Sequence, residues 1–151
     1  MYKSIFIPII LLFCTIFLTA CPEDDPKPVS SKKELLKKSW KLVKVTQTGN
    51  DTPLYQSPLP AGQTIREDYS NYRLVITNDT EYVIIQRDNS IQTGSWELAS
   101  NDTKIILDKG EQGKEVIMDI LELRESSLKI RFVEPSSKTG NREMHYDFAP
   151  L

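Results

Sequence analysis

Cysteine is almost missing from this 151-residue chain: Cys14 and Cys21 are the only two, and both precede residue 22. From there on the chain has no thiol to pair or to act as a nucleophile, so its stability must come from core packing. Histidine occurs once, at His145, which excludes a zinc site built on histidine and cysteine. The six glycines are scattered singly, with no phosphate-cradling loop and no G-x-S-x-G elbow. No excess of one charge exists either: 19 basic side chains face 21 acidic ones. A weakly acidic chain lacks the basic surface that nucleic acid requires. After residue 20 no extended helical periodicity appears. These absences lead to the expectation of a non-catalytic protein with no cofactor, no metal and no nucleic-acid partner.

One long apolar run is present. Residues 5–17 are broken only by Pro8, Cys14 and Thr15, and Lys3 precedes them. This is a signal-peptide layout, too short for the roughly 20 apolar residues of a membrane span. The run ends in Leu18, Thr19, Ala20 and Cys21, which resemble a bacterial lipobox. That resemblance implies a diacylglyceryl group on the Cys21 thiol, cleavage after Ala20 and acylation of the new amino terminus. The alternative is an uncleaved anchor with an incidental Cys21. Each buried acyl methylene contributes about 0.8 kcal/mol, so several chains on one cysteine would hold the protein to a membrane stably. Pro22, Glu23, Asp24, Asp25, Pro26 and Pro28 follow, a composition that packs into no element and reads as a tether. Its acids resemble the surface-export signal of Bacteroidota lipoproteins; a plain solubilising spacer is the other reading. The expected divisions are a signal peptide over 1–20, lipidated cysteine and tether over 21–31, and one folded domain over 32–151. The expected location is the cell envelope, as an outer-membrane lipoprotein facing the surface if the acids are an export signal.

The folded part opens with Ser31, Lys32, Lys33 and Glu34, a capping-box spacing that predicts a short helix through Lys38. Its apolar residues are Leu35 and Leu36 alone, so it can cover a core but not form one. Alternating short runs then predict eight strands, over 40–47, from Tyr72 through Ile76, and over 80–87, 91–99, 103–108, 116–123, 128–133 and 142–148. Turn residues separate them at intervals of about ten. The triplet Asn, Asp, Thr at 50–52, 78–80 and 101–103 fits this turn chemistry better than glycosylation. Eight meandering strands close most simply into an up-and-down antiparallel barrel, filled by side chains or holding one small ligand, with no exposed edge. An all-β fold of this kind with a short N-terminal helix is the predicted fold class.

Ser39, Trp40, Lys41 and Leu42 after the short helix, and Gly94, Ser95, Trp96, Glu97 and Leu98 mid-chain, carry a further likeness. With the eight-strand count and the lipobox, their order resembles the lipocalin-like lipoproteins of Bacteroidota over residues 35–149. Classical lipocalins carry glycine two places before the first tryptophan, where this chain has Lys38, so the likeness is to the looser bacterial group. It implies a small antiparallel barrel or half-open cup.

The loop over 49–70 is far longer than a hairpin needs. Pro53, Pro58 and Pro60 stiffen it, and Leu54, Tyr55, Leu59 and Ile65 supply apolar contacts. The resemblance suggests a lid over the barrel mouth; a variable excursion is the plainer alternative. Trp40 and Trp96 can line a cavity or close the floor as core. Tyr55, Tyr72, Tyr82 and Tyr146 complete the candidate ligand-binding set. Glu143, His145 and Asp147 share one strand face, read as solvated, and Glu111, Glu115 and Asp119 lack a calcium-loop spacing. Three readings stand: a membrane-anchored module binding a small hydrophobic or amphipathic ligand in the barrel; a non-catalytic interaction protein such as an inhibitor, immunity factor or accessory subunit; and, last, an enzyme.

Overall fold

A computed structural model describes residues 31–50, 52–135 and 140–151. The signal peptide, Cys21 and nearly all of the tether lie outside these residues. Ser31 caps α1 (Lys32–Leu36), its Oγ accepting from the Glu34 backbone N–H at 3.2 Å. The helix ends two residues before the predicted Lys38, since Lys37 turns out of helical geometry with ψ of 75°. Five residues do not hold a helix in water. Tertiary contacts do: Leu36 is fully buried, and three lysines tie α1 to three different turns. Lys32 Nζ donates to the Asp102 carbonyl, Lys38 Nζ donates to the Glu125 carbonyl, both at 2.9 Å, and Lys37 Nζ lies 3.1 Å from Asp79 Oδ1.

The strands are β1 (Ser39–Gln47), β2 (Tyr55–Gln56), β3 (Arg73–Ile76), β4 (Glu81–Ile85), β5 (Ile91–Ala99), β6 (Lys104–Leu107), β7 (Val116–Arg124), β8 (Ser127–Glu134) and β9 (Arg142–Pro150). Every ladder is antiparallel, and β1 pairs with both β3 and β9. β1 and β3 to β9 therefore form the closed eight-stranded barrel that the alternation predicts. The short β2 is the addition. β3 is four residues long against nine in β1, and it covers only Ser39 to Lys41 of that edge. The long loop supplies the missing partner, with Tyr55 and Gln56 pairing Val45 and Lys44, so the edge is not left open.

Bulges between Leu42 and Lys44 and between Ile120 and Glu122 shift the phase by one residue. Leu42 and Val45, three apart, thus both face the core. Inward rows then run around the wall: Leu74 opposite Ile84, Ile105 opposite Met118, Ile130 opposite Tyr146, and Leu128 opposite Phe148. The predicted turn chemistry is visible at Asn78, whose Oδ1 accepts from the backbone N–H groups of Thr80 and Glu81, each at 2.8 Å. Ser100, Asn101 and Asp102 turn in the left-handed region, with φ between 53° and 59°.

Candidate functional site: the open mouth of the barrel

The barrel is filled at one end and open at the other. At the filled end α1 closes the floor. Trp40 donates its indole N–H to the Leu36 carbonyl at 3.0 Å, and Trp96 donates to the Asn78 carbonyl at 2.9 Å. Both rings are buried, with Lys38 over Trp40 and Lys33 over Trp96. Their donors are committed to backbone, and neither ring belongs to the cavity at the opposite end.

The opposite end holds a cavity of about 960 Å³. Tyr72, Ile84, Leu107, Val116, Met118, Phe132 and Tyr146 form its walls, Tyr69 enters from the long loop, and Gln86, Arg87, Gln92, Glu134 and Arg142 stand toward the rim. This volume lies at the upper end of small-molecule sites, but the mouth is wide open to solvent and more polar than most of them. The apolar wall is aromatic on one side. Tyr146 meets Phe132, Tyr72 and Tyr69 edge to face at centroid distances of 4.9, 5.5 and 5.7 Å. Such pairs lock one another's orientation. Burial pushes the phenols of Tyr72 and Tyr146 well above the usual tyrosine range, so both stay neutral donors.

A chain of polar groups stiffens the other side. Asp108, 3% exposed, accepts from the Tyr82 hydroxyl at 2.7 Å through Oδ2 and from the Ser95 backbone N–H at 3.0 Å through Oδ1. Gln92 Nε2 donates to the Tyr82 oxygen at 2.8 Å, and Gln86 Nε2 donates to Gln92 Oε1 at 3.2 Å. The carboxylate accepts only, so it sets the direction of every bond outward to the cavity wall. Asp108 fits because β5 has no side chain at Gly94: a Cβ there would stand 1.9 Å from Asp108 Oδ1.

Charge gathers where the loop meets the strand ends. Glu67 Oε2 pairs with Arg87 Nη1 and accepts from the Tyr69 hydroxyl at 3.1 Å, while Glu67 Oε1 lies 3.6 Å from Arg142 Nη1. Arg142 Nη2 donates to Glu134 Oε2 at 2.6 Å. The Arg87 guanidinium lies over the Tyr69 ring, 4.7 Å from its centroid.

Of the six predicted ligand-binding residues, the cavity brings together Tyr72 and Tyr146. Trp40 and Trp96 belong to the floor. Tyr82 acts behind the wall through Gln92, and Tyr55 packs on Tyr69 at 5.9 Å from within β2. Sequence reasoning missed Met118, Phe132, Gln86 and Gln92, although strand phase marks all four as inward, and it missed Glu67, Tyr69, Arg87 and Arg142. The strand face of Glu143, His145 and Asp147 is outward. Thr48 Oγ1 donates to Glu143 Oε1 at 2.6 Å and lies 3.1 Å from His145 Nε2. Glu111, Glu115 and Asp119 do not converge: they engage Lys114, the Gly110 N–H and Arg131 respectively. Among the described residues no group of three histidine, cysteine, aspartate or glutamate side chains is placed to hold a metal.

No curated protein matches this chain. Among solved structures, a lipocalin-like protein from Bacteroides uniformis is similar at 11% identity and a TM-score of 0.46, over 78% of this chain and 99% of that one. The family model described as the lipocalin-like domain matches residues 36–130, from the buried Leu36 of α1 to Ile130 inside β8. The chain therefore belongs to the lipocalin-like domain family.

Proposed function

We propose that this protein is a non-catalytic binding module that takes a small amphipathic molecule into the mouth of its barrel. The observation that carries this reading is the cavity of about 960 Å³ between an aromatic wall and a fixed polar chain. A barrel serving only as a rigid platform for loops has no need of such a concavity at its mouth, which supports the binding reading. Val116 and Phe132, the partly exposed apolar residues of the lining, give a driving force of roughly 25 cal/mol for each Å² removed from water. Gln86 and Gln92 supply orientation.

In this reading the module is a lipoprotein of the cell envelope, held through Cys21 to the outer membrane. The floor, with α1 and the tether that precedes it, faces the anchor, and the mouth faces away. Native mass spectrometry of the protein purified from its own cells tests the binding function. A reproducible adduct of small-molecule mass, lost on unfolding, supports it; a bare chain that also takes up no apolar probe refutes it. Cys21→Ala should release the protein from the membrane fraction while leaving the barrel's melting unchanged. Membrane attachment that survives this substitution would contradict the lipid anchor.

A further inference from the structure

Glu67 sits where a ligand's acidic head would be held. Its two oxygens face two different guanidiniums, Arg87 through Oε2 and Arg142 through Oε1, and the Tyr69 hydroxyl adds a third donor. Arg87 and Arg142 both line the mouth cavity. The other carboxylates nearby are committed elsewhere: Asp68 and Asp88 accept from the backbone N–H groups of Ser70 and Ser90 in their own turns. Glu134 holds Nη2 of Arg142 and leaves Nη1 toward Glu67. Arg142 Nε is buried with no partner among the described residues, so this guanidinium still has a donor unspent. A charged group left short of acceptors in a partly closed site favours any further anion that reaches it.

We propose that the mouth is a carboxylate clamp occupied here by the protein's own Glu67, and that its ligand is a small amphiphile whose acidic head displaces that side chain. This rests on the reading of the mouth cavity as a ligand site. The Glu67 pairs are partly exposed, with Arg87 46% accessible, and ion pairs of that kind are weak enough for an incoming carboxylate to replace. The head would take the place of Glu67 between Arg87, Arg142 and the Tyr69 hydroxyl, and its apolar body would lie against Tyr72, Tyr146 and Phe132. Glu67 and the ligand compete for one site. Because Glu67 belongs to the long loop and lies two residues before Tyr69, displacing it frees the loop's end from the rim.

Calorimetric titration of the full chain with naphthylacetate and with the neutral naphthylethanol tests this, in the wild type, Glu67→Gln and Arg87→Gln. Glu67→Gln keeps an acceptor for Tyr69 and removes the competing charge. Naphthylacetate should bind it about three- to five-fold more tightly than the wild type, the factor that removing one exposed ion pair supplies, with naphthylethanol unchanged. Arg87→Gln should weaken naphthylacetate about tenfold and leave naphthylethanol alone. If Glu67 is only a structural latch, Glu67→Gln weakens both probes equally, and that result overturns the clamp while leaving the cavity as a binding site. Equal affinities for acid and alcohol in all three proteins overturn it as well. Failure of both probes to bind any of the three defeats the ligand-site reading itself and the clamp with it.

Discussion

Gly94 and Asp108 share one place in the barrel wall, and neither can be understood without the other. The Asp108 carboxylate occupies the space a β5 side chain would fill, and it cannot retreat without dropping the Tyr82 hydroxyl and the Ser95 N–H. Gly94→Ala should therefore destabilise the fold by about 1–3 kcal/mol, the usual cost of overpacking, read by chemical denaturation. In an Asp108→Ala background the same change should cost less, because the nearest atoms it strikes are gone and only Tyr82 Cε1, at 2.8 Å, has to give. Additive effects would contradict the shared-space account. The buried phenols make a second prediction at this scale. Burial raises Tyr72, Tyr82 and Tyr146 in the folded state above the ordinary value of 10.0. The unfolded chain then loses these protons first, so stability is full below about pH 10 and falls as pH rises beyond it. Phenolate absorbance for these three should appear together with unfolding; titration near pH 10 in a barrel that stays folded would show that they are not sequestered.

At the scale of elements, α1 is a plug held by its surroundings. Leu36 fills the floor, its carbonyl accepts from Trp40, and the lysines reach the turns at Asp79, Asp102 and Glu125. Leu36→Ala should cost about 2–5 kcal/mol and make Trp40 fluorescence more sensitive to acrylamide. A ring still shielded after that change would mean that α1 is dispensable to the floor. The strands and the helix were legible because alternation and capping are local: β1, β5 and β9 start within a residue of their predicted positions. β2 was not, since its pairing with β1 follows from β3 being too short to cover that edge, and strand length is settled by partners. The site was legible only in part, two of six residues, for a related reason. Alternation states which side of the wall a residue faces but not its height along the barrel axis, so Trp40 and Trp96 at the floor and Tyr72 and Tyr146 at the mouth read alike. Gln86 and Gln92, polar residues in inward phase, were the available signal for a hydrated cavity. The meeting of Glu67 with Arg142 joins distant stretches of chain through closure, and no local pattern reports it.

The whole molecule is a barrel with two unlike ends, one sealed by a helix that the tether precedes, the other open and lined by tyrosines and glutamines. If Cys21 carries the proposed lipid anchor, that asymmetry would turn the proposed binding end away from the membrane. It would also limit a proposed ligand to something small, since the sheet is closed and the floor is packed. Methionine methyl NMR on the full chain tests this most directly, because Met118 lines the cavity while Met144 is buried outside its lining. Titrating naphthylethanol should move and broaden the Met118 methyl resonance and leave Met144 in place. Saturable binding that leaves Met118 untouched would put the ligand elsewhere and contradict the account.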